Sequence, residues 1–118
     1  MTTILVIENE HFIRANVVEL LESEGFSVLG AEDGFEAMSL LGLHCPDLIL
    51  CDVLMPEFSG YDVLHDVRAR PDLAQIPFVF LSAESSHENT TQGLVSGADH
   101  YLAKPFQSVI YLMLFTAL

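Results

Sequence analysis

Several residues whose side chains could do chemistry come directly after short apolar runs of the sequence. Asp52 follows Leu-Ile-Leu-Cys, and the polar segment Glu8-Asn9-Glu10 follows Ile-Leu-Val-Ile. Lys104, the only lysine of the chain, follows another such run. Carboxylates that converge from two strands repel one another unless a cation lies between them, and hard oxygen ligands suit Mg²⁺. The pattern indicates a carboxylate site in which Asp52 is the principal functional residue.

The apolar runs have the composition of strands that are buried on both faces, because they are continuous and rich in β-branched residues. Amphipathic segments with helical spacing separate them. At 118 residues the chain has room for a single domain, taken here as residues 1–118. Five strands alternating with five helices imply right-handed crossovers and a parallel α/β sheet covered on both faces. The predicted strands are Thr3–Ile7, Phe26–Ala31, Leu48–Cys51, Phe78–Leu81 and His100–Ala103, and the fifth helix is predicted over Phe106–Leu118.

Ligands of such sheets gather outside the carboxyl ends of the strands. Four segments that lie at or lead to this edge together resemble the receiver domain of two-component response regulators, in particular the chemotaxis-regulator type. The similarity extends over essentially the whole chain, and it implies a flavodoxin-like, doubly wound fold with strand order 2-1-3-4-5 and five helices. The segments are Ile4–Glu10, Asp52–Pro56 closed by Gly60, Ser82-Ala83 and Tyr101–Pro105.

The resemblance implies a role for each matched residue. Asp52 corresponds to the phospho-acceptor, which takes a phosphoryl group from a sensor histidine kinase or a phosphotransfer protein. Ser82 and Tyr101 correspond to the switch residues that respond to the phosphoryl group, and Lys104 to the lysine that pairs with it. The response is expected on the surface of helix 4, strand 5 and helix 5, where a downstream effector binds. On this reading the domain is a phospho-acceptor that catalyses only its own phosphorylation and dephosphorylation.

The resemblance also implies Mg²⁺, held by Asp52, Glu8, Asn9 and the backbone carbonyl of Leu54. The family usually has two adjacent acids after the first strand, whereas this chain has an asparagine at the second position. An amide oxygen coordinates Mg²⁺ without a formal charge, so we expect weaker metal binding. An atypical receiver that works without phosphorylation therefore stays open as a second function. A Mg²⁺-dependent phospho-aspartyl hydrolase fits poorly, because Leu54 stands where such an enzyme needs a second aspartate.

The charge of the chain restricts its partners. The formal net charge is −13, from 17 acidic residues against four basic ones. Such a surface repels phosphate backbones and anionic lipids, so we expect neither nucleic acid nor membrane as a partner of this domain. The three arginines, Arg14, Arg68 and Arg70, are predicted to be exposed helix charges.

Two further features bear on location and assembly. Cys45 and Cys51 have no metal-ligand spacing and are predicted to be free thiols of a cytoplasmic protein. The predicted fifth helix is apolar on all sides, whereas a surface helix should have a polar face. We therefore expect that helix to contact a partner, which could be a second copy of the chain.

Overall fold

The structure, a computed structural model, describes residues 2–53, 55, 57–82 and 97–103, with the backbone alone for residues 82 and 100–103. Within these residues the helices are α1 (His11–Ser23), α2 (Gly34–Leu41) and α3 (Gly60–Ala69). The strands are β1 (Thr3–Ile7), β2 (Ser27–Ala31), β3 (Leu48–Asp52), β4 (Phe78–Ser82) and β5 (His100–Ala103).

All strand pairs are parallel, and the sheet order is β2-β1-β3-β4-β5. The predicted fold class and strand order are therefore confirmed. The other two predicted helices, one of them over Phe106–Leu118, lie outside the described residues.

Two apolar cores lie on opposite faces of the sheet. Successive side chains of a strand point to opposite faces, so the alternate residues of β1 divide between the cores. Ile4 and Val6 pack with Val17 and Leu21 of α1. Leu5 and its neighbours on the other face pack with residues of α2 and α3. All five residues of the central strand β3 are buried, and the last of them is the polar residue Asp52.

The second strand begins one residue later than predicted. Phe26 belongs to the turn that caps α1, since its backbone N–H donates to the carbonyl oxygen of Leu21 at 3.2 Å. Gly25 has a φ of 94°, the left-handed conformation in which a glycine commonly ends a helix. At their other ends β3 and β4 each extend one residue beyond the prediction, to Asp52 and Ser82.

Arg68 is not the exposed helix charge that the sequence predicts. Its guanidinium donates to the carbonyl oxygens of Ile76 (2.7 Å), Ala74 (3.0 Å) and Gly97 (3.2 Å). It also donates to Oδ2 of Asp99 at 3.1 Å, and that oxygen accepts the backbone N–H of Phe78 at 2.8 Å. We call this set the Arg68 clamp. It joins the end of α3 to the residues that lead into β4 and β5, at the amino edge of the sheet.

Replacing Arg68 by alanine should lower the free energy of unfolding by about 2 kcal/mol, because partly buried carbonyl groups lose their donors. The measurement is urea unfolding followed by circular dichroism. Arg70→Ala is the matched control, since Arg70 makes only a 3.5 Å contact with exposed Asp72. That variant should stay within about 0.5 kcal/mol of the parent chain. Equal losses in the two variants would contradict the clamp.

Candidate functional site

The strand register brings the predicted acidic residues to one edge of the sheet. Ile7 of β1 is paired with Cys51 of β3, so Glu8 and Asp52 directly follow paired positions on neighbouring strands. Asp52 is itself paired with Leu81 of β4, the residue before Ser82. The backbones at Glu8, Asp52 and Ser82 therefore occupy the carboxyl ends of three adjacent strands. Ligands of such folds bind at this edge, near the point between β1 and β3 where the winding direction of the sheet reverses.

Glu8 and Asp52 are both withdrawn from solvent. Their exposed fractions are 3% and 7%, and within the described part of the chain they are the only buried residues that are polar or charged. Moving a carboxylate out of water is costly unless hydrogen bonds or a counter-charge compensate it. A stability requirement alone would place apolar residues at these two positions, so their burial indicates a function.

The Asn9 side chain lies between the two carboxylates. In the amide orientation that its neighbours select, its nitrogen donates to Oε2 of Glu8 at 3.1 Å and to Oδ2 of Asp52 at 3.3 Å. The backbone N–H of Glu10 donates to the same Glu8 oxygen at 3.3 Å. We call Glu8, Asn9 and Asp52 the acidic triad. Its amide donor supplies hydrogen bonds where two like charges would otherwise face each other.

Arg14 holds the loop that carries Glu8 and Asn9, a role that the sequence interpretation missed. Its Nη1 donates to the backbone carbonyl oxygen of Glu8 at 2.7 Å, and its Nη2 lies 3.2 Å from Nδ1 of His11. The backbone N–H of Glu8 donates to the carbonyl oxygen of Ala31 at 3.0 Å. Both backbone polar groups of Glu8 are thus fixed. The only sequence signal is an arginine one helical turn after the acidic segment, and this is too common a pattern to single it out.

The loop after Asp52 passes close to the site because Gly60 has no side chain. A Cβ atom at this position would overlap the carbonyl oxygen of Asp52 and press on the Phe80 ring. The N–H of Gly60 donates to the carbonyl oxygen of Val53 at 3.0 Å, which closes the loop. Ser59 then starts α3 with a capping box to Asp62. The glycine noted in the sequence motif is therefore required by close backbone approach.

A cavity of about 330 Å³ opens beside the triad. Asn9 forms part of its wall, and the other lining residues are Glu32, Asp33, Phe35 and Glu57. Three carboxylates at this opening produce a negative potential that attracts cations and repels anions. The cavity therefore favours entry of a divalent ion, whereas an anionic phosphodonor gains no electrostatic attraction from these residues.

Cys51, the residue before Asp52, belongs to one of the two apolar cores. The thiol is fully buried, and its S–H donates to the carbonyl oxygen of Asp52 at 3.3 Å. Burial raises the pKa of the Cys51 thiol well above its ordinary value, and the charges of Asp52 and Glu8 raise it further. The thiol therefore stays protonated and packs as a small apolar residue.

The triad fits a hard divalent cation in donor type, with less charge than two adjacent acids would provide. Glu8, Asp52 and the amide of Asn9 supply only oxygen as possible metal ligands, which is the set that Mg²⁺ prefers. Within the described residues no group of three or more His, Cys, Asp or Glu side chains is arranged to hold a metal. The structure thus brings together three of the predicted metal-site residues. Leu54 and Lys104 lie outside the described residues, and Ser82 and Tyr101 are placed by backbone only, on β4 and β5.

A family model described as the response regulator receiver domain matches residues 4–111 of the chain. The chain therefore belongs to the receiver-domain family of two-component response regulators, whose members signal by phosphorelay. This confirms the family to which the sequence motifs were assigned.

Individual relatives agree with this assignment. The transcriptional regulatory protein CpxR of Klebsiella pneumoniae is 41% identical over 106 residues, which are 90% of this chain and 44% of that protein. The chain thus spans less than half the length of this relative.

Within the described residues no helix is both long and apolar enough to cross a membrane.

Several solved structures match over the full length of the chain. The chemotaxis protein CheY4 of Vibrio cholerae is 30% identical, with a TM-score of 0.92 and coverage of 100% of this chain and 99% of that one. The response regulator TrrA of Thermotoga maritima, in complex with Mg²⁺-BeF, is 28% identical with a TM-score of 0.85 and full coverage of both chains. Divalent-metal binding is therefore present among relatives that share this fold.

Replacing Gly60 by alanine should lower the free energy of unfolding by roughly 3 kcal/mol, because the added methyl group has to displace the backbone at Asp52. Urea unfolding measures the loss. Gly42→Ala is the control, since Gly42 has a φ of −72° and a Cβ there meets nothing closer than 3.4 Å. That variant should be neutral or slightly stabilising. A Gly60→Ala protein as stable as Gly42→Ala would contradict the described loop.

The two cysteines should differ sharply in reactivity. Cys45 is exposed and Cys51 is buried, so a thiol reagent should modify one cysteine in the native protein and both in denaturant. Mass spectrometry after brief alkylation at neutral pH identifies the modified residue. Rapid native modification of Cys51 would show that the buried thiol beside Asp52 is accessible after all.

Proposed function

We propose that the chain is a phosphorylation switch in which Asp52 accepts a phosphoryl group from a phosphohistidine. The observation that supports this most directly is the burial of Asp52 at the carboxyl edge, next to a second buried acid. One carboxylate oxygen of Asp52 attacks the phosphorus atom, the new O–P bond forms as the N–P bond breaks, and the electron pair returns to the imidazole nitrogen. Positioning and charge compensation supply most of the catalysis of such transfers.

The triad and its neighbours divide the remaining work. A divalent ion, when bound by Glu8, Asn9, Asp52 and the Leu54 carbonyl, supplies positive charge for the phosphoryl oxygens. Lys104 pairs with a phosphoryl oxygen, and Ser82 donates a hydrogen bond to another. Tyr101 then follows Ser82. The domain acts as a phospho-acceptor that promotes its own phosphorylation and dephosphorylation, and does not turn over a separate substrate.

The partners of the proposed switch follow from this chemistry. The phosphodonor is a sensor histidine kinase or a phosphotransfer protein, and the response changes the surface formed by helix 4, strand 5 and helix 5. That surface contacts a downstream effector or a second copy of the chain through the apolar fifth helix. We propose the cytoplasm as its location.

One observation favours a second function. In the described geometry the Asn9 nitrogen already donates to one carboxylate oxygen of Glu8 and one of Asp52. A site whose carboxylates are bridged without metal has less need of Mg²⁺, and this favours a receiver-like interaction domain that works without phosphorylation. The first function remains our proposal, because stability alone does not account for the buried Asp52.

Incubation with MgCl₂ and phosphoramidate should add one phosphoryl group to the parent chain, detected by intact-protein mass spectrometry. Mass spectrometry is preferred to fluorescence because the chain has no tryptophan. Asp52→Asn should abolish the adduct, because the amide is not a nucleophile comparable to a carboxylate. The matched control is Asp72→Asn, at an exposed position on the turn after α3, and it should be phosphorylated like the parent chain.

The outcomes separate the two functions. An adduct that depends on Asp52 and is lost in EDTA supports the phosphorylation switch. No adduct in a folded protein, together with no heat of Mg²⁺ binding by calorimetry up to the millimolar range, would favour the phosphorylation-independent domain. An adduct that survives Asp52→Asn would show that a different residue is the acceptor.

A further inference from the structure

We infer that the Asn9 amide is a two-position element, donating its nitrogen to Glu8 and Asp52 without metal and turning its oxygen toward a bound divalent cation. The inference rests on the metal site of the proposed function. It concerns how the Asn9 side chain stabilises the two carboxylates when no cation is bound. It assigns Asn9 a structural role in the metal-free state that an acidic residue at this position could not have.

The geometry supports the first position directly. One end of the Asn9 amide lies within hydrogen-bond distance of a carboxylate oxygen of Glu8, at 3.1 Å, and of Asp52, at 3.3 Å, and only the amide nitrogen can donate to both. Hydrogen bonds to a charged acceptor are stronger than neutral ones, and both acceptors here are buried. An aspartate at position 9 would instead add a third negative charge, and it would have no side-chain donor to offer.

The second position follows from the chemistry of the amide group. Its nitrogen is a donor only and cannot coordinate a cation, whereas its oxygen can. Rotation of about half a turn about the last side-chain bond exchanges the two atoms, and this torsion has a broad, roughly two-fold profile. The backbone need not move for this exchange, because the rotation is about a side-chain bond. Arg14 and Ala31 hold both backbone polar groups of the preceding residue, Glu8, in place.

A consequence is that the protein should depend little on Mg²⁺ for its stability. A ligand stabilises the native state according to how strongly it binds that state. The Asn9 protein gives up two hydrogen bonds when the cation binds, whereas an aspartate at the same position is relieved of repulsion. Mg²⁺ should therefore stabilise an Asn9→Asp variant much more than the parent chain.

Thermal unfolding in EDTA and in MgCl₂ tests the first position. In EDTA, Asn9→Asp should melt about 5–10 °C below the parent chain. In calorimetry, Asn9→Asp should bind Mg²⁺ about tenfold more tightly, because the added charge attracts the ion at short range. Asn16→Asp is the matched control: it makes the same chemical change at an exposed position on α1. It should melt within about 2 °C of the parent chain in both solutions.

Asn9→Ala covers the case in which Asn9→Asp does not fold without metal. It removes the bridge and adds no charge, so in EDTA it should melt below the parent chain and above any folded Asn9→Asp protein. The bridge would be overturned if Asn9→Asp and Asn9→Ala both had the same melting temperature in EDTA as the parent chain. Asn9→Asp that folds only in MgCl₂ would support it.

Nuclear magnetic resonance of the parent chain labelled with ¹³C and ¹⁵N tests the second position. In EDTA the side-chain NH₂ protons of Asn9 should exchange with water more slowly than those of exposed Asn16. Saturating MgCl₂ should remove that protection at Asn9 and leave Asn16 unchanged. Protection that persists in MgCl₂ while the carbonyl-carbon shifts of Glu8 and Asp52 report binding would overturn the proposed rotation.

These measurements are independent of the proposed phosphorylation. A higher melting temperature of the parent chain than of Asn9→Asp in EDTA, without any phosphoryl adduct, would retain the bridge and reject the phosphorylation switch. Asp52-dependent phosphorylation, with no difference in melting temperature between Asn9→Asp and Asn16→Asp in EDTA, would retain the phosphorylation switch and reject the bridge.

Discussion

The constraint on which the site depends is the burial of two carboxylates at the ends of neighbouring strands. Glu8 and Asp52 are brought together by the pairing of β1 with β3, and that pairing is itself required by the apolar cores on both faces. The strands therefore cannot separate to relieve repulsion between the acids. Compensation has to come from groups added at the edge, and the described residues supply a side-chain amide and a backbone N–H.

The supporting contacts share one property, which is that they act on the backbone near the acids. Arg14 binds the carbonyl of Glu8, and Gly60 packs against the carbonyl of Asp52. Backbone contacts of this kind fix the position of a residue and leave its side chain able to exchange partners. Such an arrangement suits a site whose carboxylates must accept different groups in successive states.

The continuous apolar signature of buried parallel strands was sufficient to predict the strands and the edge at which Asp52 lies. The order of the strands was implied only by the resemblance to receiver domains. The sequence did not reveal the roles of Arg14 and Arg68, since both bind backbone carbonyls that any residue supplies. The donor role of Asn9 was missed for a related reason. The motif comparison treats that position as a metal ligand, whereas the described geometry depends on which end of an amide faces two acids.

The Arg68 clamp has a consequence for how strands of this sheet can move. It ties the segments leading into β4 and β5 to α3 at the amino edge, opposite the acidic triad. If a strand anchored at one end tilts, its displacement is smallest at the anchor and grows with distance from it. Ser82 and Ala103, at the far ends of β4 and β5, therefore lie where a small rotation produces the largest shift.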